Sequence, residues 1–197
     1  MSVQSILSVY NLASVTDKQQ GQSWYARALT FAVRLSDLYD IETSTIVAVI
    51  ASLSPRNKWE RNMQDAESMV KVSAAGGTYA DLMKLKVCTF STGKQKAAKI
   101  LTENITNRDE LLAILKGPKL CEFFNCILGD SGDVCIDGHA YSIWVGDRIT
   151  LANVPSIGKK LRQTIKADYQ EAARILGVQP HVVQAITWVA WKRLHGV

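Results

Sequence analysis

Residues 45–54, TIVAVIASLS, are apolar on almost every side. A segment hydrophobic all round has to lie at the centre of a domain, so the rest of the chain must supply the shell that covers it. Its β-branched residues would also suit a buried strand, and periodicity alone does not separate the two. No partner strand is evident elsewhere, so the segment is assigned as a helix, capped by Thr43 or Ser44 and stopped by Pro55.

The neighbouring segments carry the three- and four-residue apolar spacing of surface helices. Residues 3–12 put Val3, Ile6, Leu7 and Tyr10 on one face. A second helix runs from Ser23, as N-cap, to about Tyr39. Residues 17–22, DKQQGQ, read as a polar break between them. Further helices are expected over 58–74, 78–86, 108–115, 119–128 and 167–176, with one starting near Gly93 and a last one after Pro180. In that last helix Trp188 and Trp191 are assigned to the core. Residues 146–166, GDRITLANVPSIGKKLRQTIK, read as a loop. The expected architecture is all-α: one compact multi-helix domain over 1–197, with two helical lobes as the alternative.

Composition narrows the partner and the compartment. With 47% hydrophobic residues the chain can build a core, and its formal net charge of +5 favours an anionic partner, most simply nucleic acid. No apolar run approaches the roughly 20 residues of a membrane span. The N-terminus lacks a charged region ahead of a long apolar core, so it does not read as a signal peptide. Cys88, Cys121, Cys126 and Cys135 contain no CxxC pair and are expected to be small buried hydrophobes in a reducing compartment. The expectation is a cytoplasmic monomer without metal or other cofactor.

The chemistry is sought in residues 115–141, LKGPKLCEFFNCILGDSGDVCIDGHAY. Gly117 and Pro118 break one helix and open the next, leaving free N–H groups that suit an anion. Asp137 follows the apolar Val134, Cys135 and Ile136, which deliver its carboxylate from a buried approach. It is either a helix N-cap or a catalytic group, and both stay open.

Four other places carry cations. Arg56, Asn57, Lys58 and Trp59 form either a solvated turn or a nucleic-acid wedge, since Arg and Trp stack on bases. Lys94, Lys96 and Lys99 oppose the dipole of their own helix start, which a bound phosphate would offset, or they are a solvated charge run. Lys116 flanks the Gly117 turn. Residues 154–160, with Lys159 and Lys160, have the shape of a second phosphate-binding hairpin and rival Gly117–Lys119 for that role.

Three segments in order resemble the helix-hairpin-helix DNA glycosylase superfamily, the endonuclease III-like group. They are VAVIASLSPRNKWERNMQDA, STGKQKAAKIL, and LKGPK followed by VCIDGHA. Asp137 stands 18 positions after Lys119, the spacing expected between that family's Schiff-base lysine and its aspartate, and His139 falls on the histidine that follows. The resemblance covers residues 43–145. The turn is two residues shorter than the family's Leu-Pro-Gly-x-Gly-x-Lys, and the four-cysteine iron–sulfur loop is absent. Compact size and a diverged hairpin suit a phage-encoded member acting in the host cytoplasm.

The resemblance implies double-stranded DNA as partner and release of a flipped damaged or modified base. Flipping is helped by a side chain that fills the void, here Arg56 or Asn57. Asp137 would stabilise the cationic sugar or activate the attacking nucleophile. Lys119 would attack C1′ and add lyase activity, or, if it points to solvent, leave a monofunctional enzyme that uses water. His139 would hold the Asp137 loop. The alternatives are a base-modification enzyme on the same scaffold, acting on hypermodified phage DNA, and a non-catalytic DNA-binding protein.

Overall fold

The computed structural model describes residues 2–130 and 132–196, and every regular element among them is an α-helix. The helices group into two compact units: residues up to Arg27 together with those from Asn125 onward, and Ala28–Phe124. Helices α3 (Trp24–Tyr39) and α9 (Pro118–Ile127) each give residues to both.

The 28–124 unit is built around α4 (Thr43–Leu53), whose residues from Thr45 to Leu53 are all buried. It packs against α5 (Trp59–Ala74), α7 (Ser91–Thr102) and α8 (Arg108–Leu115), with α6 (Tyr79–Lys84) lying on α5 and α7. Neither Thr43 nor Ser44 is its cap. The position before the helix is Glu42, without a side-chain cap hydrogen bond. Burial of Ile46, Ile50 and Leu53, each worth roughly 1.5–3 kcal/mol, stabilises this helix without a cap. The approach of α7 depends on Gly93. A Cβ there would meet the Ser52 carbonyl oxygen at 2.5 Å, so any side chain forces the helices apart.

The other unit comprises α1 (Val3–Asn11), α2 (Val15–Gln22), α10 (Gly138–Val145), α11 (Lys159–Leu176) and α12 (Pro180–His195). Tyr169, Trp144, Ile143, Ile186 and Trp191 are buried at its centre. Residues 17–22 are not a break but most of α2. Ser14 and Asp17 form a reciprocal capping box at its start. Gly21 lets α2 lie against α12, because a Cβ there would stand 2.5 Å from Ile186 Cα. Arg193 reaches from α12 to Asp17 at 2.8 Å, and with Ser14 it holds that carboxyl below its ordinary range. The polar helix is thus made by its caps and partner rather than by an apolar stripe. Ser23 donates its hydroxyl back to Gln19 O instead of capping α3. The segment assigned as loop over 146–166 is helical from Lys159 onward, because the cationic face of α11 has partners in the chain.

Candidate active site

Residues 133–137 run without regular structure, yet Val134, Cys135 and Ile136 are buried. A buried stretch outside helix and sheet must find its hydrogen-bond partners elsewhere. Helix α11 supplies them at four-residue intervals, which fall on one helix face. Arg162 Nη1 donates to Ile136 O at 2.9 Å, Lys166 Nζ to Asp133 Oδ1 at 2.5 Å, and Gln170 Nε2 to Gly132 O at 2.8 Å. Asp133 also accepts from its neighbour Val134 N at 2.9 Å and from Asn125 Nδ2 at 2.8 Å.

This clamp delivers Asp137 to the start of α10. Its Oδ1 accepts the Ala140 N–H at 2.9 Å, and its backbone is extended, as an N-cap requires. Oδ2 makes no hydrogen bond among the described residues. The carboxylate is half-buried at the N-terminus of α10. Gly138 beside it lies close under the following loop: a Cβ would sit 2.7 Å from Leu151 Cδ2 and 3.3 Å from Val154 Cγ2, so those side chains would have to shift for a larger residue. The 151–154 loop, leading to Gly158 and α11, therefore rests on the Asp137 turn.

Aromatic and imidazole groups gather in the same unit. The His139 and Trp188 rings lie 6.4 Å apart, Trp188 and Trp24 6.0 Å, and Trp24 and Tyr25 5.0 Å. Tyr25 OH donates to Gln184 Oε1 at 2.7 Å and meets the His181 ring edge-on at 5.5 Å. Burial drives the Tyr25 hydroxyl well above its ordinary pKa, and Cys126, Cys135 and Asp137 add to the shift. Burial also lowers the His181 pKa. Tyr25 thus stays a neutral donor to Gln184.

In the 28–124 unit, α8 and α9 are joined by Lys116 and Gly117 alone. Lys116 is exposed in a left-handed conformation, φ 54°, and Gly117 N donates to Leu115 O at 2.6 Å. Lys119, at the second position of α9, is exposed. Lys96 Nζ donates to the same Leu115 O at 2.6 Å, and Lys94 Nζ to the carbonyls of Met83 and Leu85. Both ammonium groups therefore close the C-terminal ends of neighbouring helices. Arg56 is exposed with φ 56°, its guanidinium 4.9 Å from the Phe90 ring centre. Asn57 points inward, donating to Leu53 O at 3.3 Å and Asp65 Oδ2 at 3.1 Å. Lys58 is exposed and Trp59 half-buried at the start of α5.

The model of a family of unknown function, DUF7178, matches residues 1–195. The chain belongs to that family. No curated protein and no solved structure matches it.

In this DUF7178 chain Asp137 and His139 share one unit with Lys159 and Lys160, both exposed in the first turn of α11. Lys119, Lys94, Lys96 and the Arg56 turn belong to the other. Sequence reasoning missed Tyr25, His181 and Gln184, and it placed Trp188 in the core, where it is only half-buried. The available signal was the spacing of His181, Gln184 and Trp188, which puts three polar or amphipathic groups on one face of α12. Of the four cysteines expected to be buried, Cys126 and Cys135 are, Cys121 is half-buried, and Cys88 is exposed in the turn between α6 and α7, its backbone N–H donating to Asp65 Oδ2 at 2.8 Å. Among the described residues no cluster of His, Cys, Asp or Glu is arranged to hold a metal ion, and no helix is long and apolar enough to cross a membrane.

Proposed function

We propose that this protein is a DNA N-glycosylase that releases a flipped, damaged or modified base, with Asp137 as its carboxylate. The observation that carries this reading is the division of labour in Asp137. One oxygen is spent on the α10 cap, which fixes the side chain, and the other is left for chemistry. As the N-glycosidic bond breaks, its electron pair leaves with the base and positive charge grows at C1′. A fixed carboxylate nearby stabilises that charge. Water then adds to C1′, and its proton passes to Asp137 or to solvent. The aromatic and imidazole groups around Tyr25 and Trp188 are of the kind on which an extruded base stacks.

Water is the proposed nucleophile. A lysine nucleophile works from within an apolar pocket, and Lys119 is exposed. Arg56 is the proposed wedge, since Asn57 is turned inward. The test is single-turnover base release from duplexes carrying one deaminated, oxidised, alkylated or hypermodified base, followed by borohydride trapping on an abasic site. Release from at least one duplex is expected, slowed about a hundredfold or more in Asp137→Asn, with no trapped adduct. Release unchanged in Asp137→Asn, or none from any duplex by folded protein, overturns the glycosylase reading. An adduct that disappears in Lys119→Ala overturns the choice of water.

A further inference from the structure

We infer that Arg162 is a positioning residue for Asp137, acting through the backbone of the segment that carries it. The inference rests on the reading of Asp137 as the catalytic carboxylate, but its structural part can be measured without any reaction. The Ile136 carbonyl that Arg162 holds at 2.9 Å belongs to the peptide group whose nitrogen is that of Asp137. Fixing that plane fixes where the Asp137 side chain starts. Nothing in regular secondary structure does this, because residues 133–137 have no partner strand among the described residues.

Arg162 is the last rung of a ladder whose other rungs, Lys166 to Asp133 and Gln170 to Gly132, lie progressively further from Asp137 along the segment. All three rise from one 18-residue helix, so they are set relative to one another. Asp137 is then held from both sides: Arg162 fixes the peptide before it, and the α10 amide of Ala140 fixes its Oδ1. A half-buried carboxylate with one unengaged oxygen needs such support. Displacement of a reacting group by about 1 Å lowers rates on the order of a hundredfold. Two other roles are open to an arginine here, a purely structural tie and a phosphate contact, and each leaves a different trace.

The experiment compares wild type, Arg162→Ala, Arg162→Lys and Gln170→Ala by thermal melting, DNA affinity against salt, single-turnover base release and amide exchange at Ala140. Expected in Arg162→Ala is base release slowed roughly ten- to a hundredfold, DNA affinity and its salt slope unchanged, and faster exchange at Ala140. Arg162→Lys, which can still donate to Ile136 O, recovers much of the rate, and Gln170→Ala, the most distant rung, changes it least. A lower melting temperature with wild-type rate and wild-type Ala140 exchange well below the transition reduces Arg162 to a structural tie and overturns the inference. A loss of affinity with a shallower salt slope at unchanged rate makes it a phosphate contact and also overturns it. If Arg162→Ala does not fold, the Arg162→Lys and Gln170→Ala pair decides by the same ranking. Asp137→Asn separates the two levels. Should it retain wild-type base release, the glycosylase reading fails. Should it lose release while Arg162→Ala keeps both rate and Ala140 exchange, only the positioning role fails.

Discussion

Helices α7 and α11 both open on a run of cations, and the fold uses the two runs differently. In α7 the ammonium groups of Lys94 and Lys96 are half-buried and donate to carbonyls at or beyond the C-terminal ends of α6 and α8. Cations near their own helix's N-terminus are unfavourable, but the C-termini of two neighbouring helices carry the opposite partial charge and absorb them. In α11 the first two lysines, Lys159 and Lys160, are exposed, while Arg162 and Lys166 turn to the backbone and carboxylate of residues 133–136. One run ties helix ends together. The other splits, one part clamping the Asp137 segment and one part facing solvent. What decides a lysine's role is which carbonyls its helix is packed against, and this is not written in the spacing of the lysines.

The largest expected effect breaks the α7 side. Lys94→Met keeps the aliphatic stem but leaves the Met83 and Leu85 carbonyls without their donor. Hydrogen bonds to a charged group are worth about 2 kcal/mol, so thermal unfolding should drop by about 4–8 °C. An unchanged melting temperature would mean that α7's lysines are as dispensable as solvated ones, and the contrast with α11 would vanish.

The complementary change sharpens the α11 side. Replacing Lys159 and Lys160 together by Ala should leave stability within about 0.5 kcal/mol of wild type. If these lysines meet phosphates, the slope of log affinity against log salt falls by about 2. A wild-type slope in equilibrium titrations with duplex DNA would remove them from the interface. The same titration on Lys96→Met, measured at a temperature where that variant is folded, should show no change of slope.

The smallest expected effect concerns α6, whose far end Lys94 holds. At the near end Thr78 and Asp81 form a capping box, and hydrogen bonds from Thr78, then Lys84, bring the Asp81 carboxyl down to about 2. Its folded-state value lies below the ordinary 3.8, so its contribution is present above pH 3.8 and is lost as pH falls through about 2. Amide protection in α6 should weaken across that interval in wild type but not in Asp81→Asn, after correction for intrinsic exchange. Equal pH dependence in both would leave the cap without influence.

The sequence by itself determined the helical class and most helix positions, because the three- and four-residue apolar period is local and survives any arrangement of neighbours. The bounds of α8 were read this way, whereas the central burial of α4 followed from a segment that is apolar almost all round. That Asp137 leaves a buried tripeptide for a loop or a helix start was also legible, but the cap it forms on α10 was only one of the readings left open. Helix α2 was not. It has no apolar stripe, and the glycine and aspartate that secure it find their partners more than 160 residues away, at Ile186 and Arg193. The first half of α11 was hidden for a related reason: its cations look like a loop until residues 132–136 are seen to accept their hydrogen bonds. Only the tertiary structure decided that Asp137 keeps one oxygen for the cap and one unengaged, that Tyr25 and Gln184 meet in its unit, and that Lys94 and Lys96 face carbonyls. Hydrogen bonds and ion pairs depend on where a partner's atoms lie in space, and that is set by how helices pack rather than by the order of residues along them.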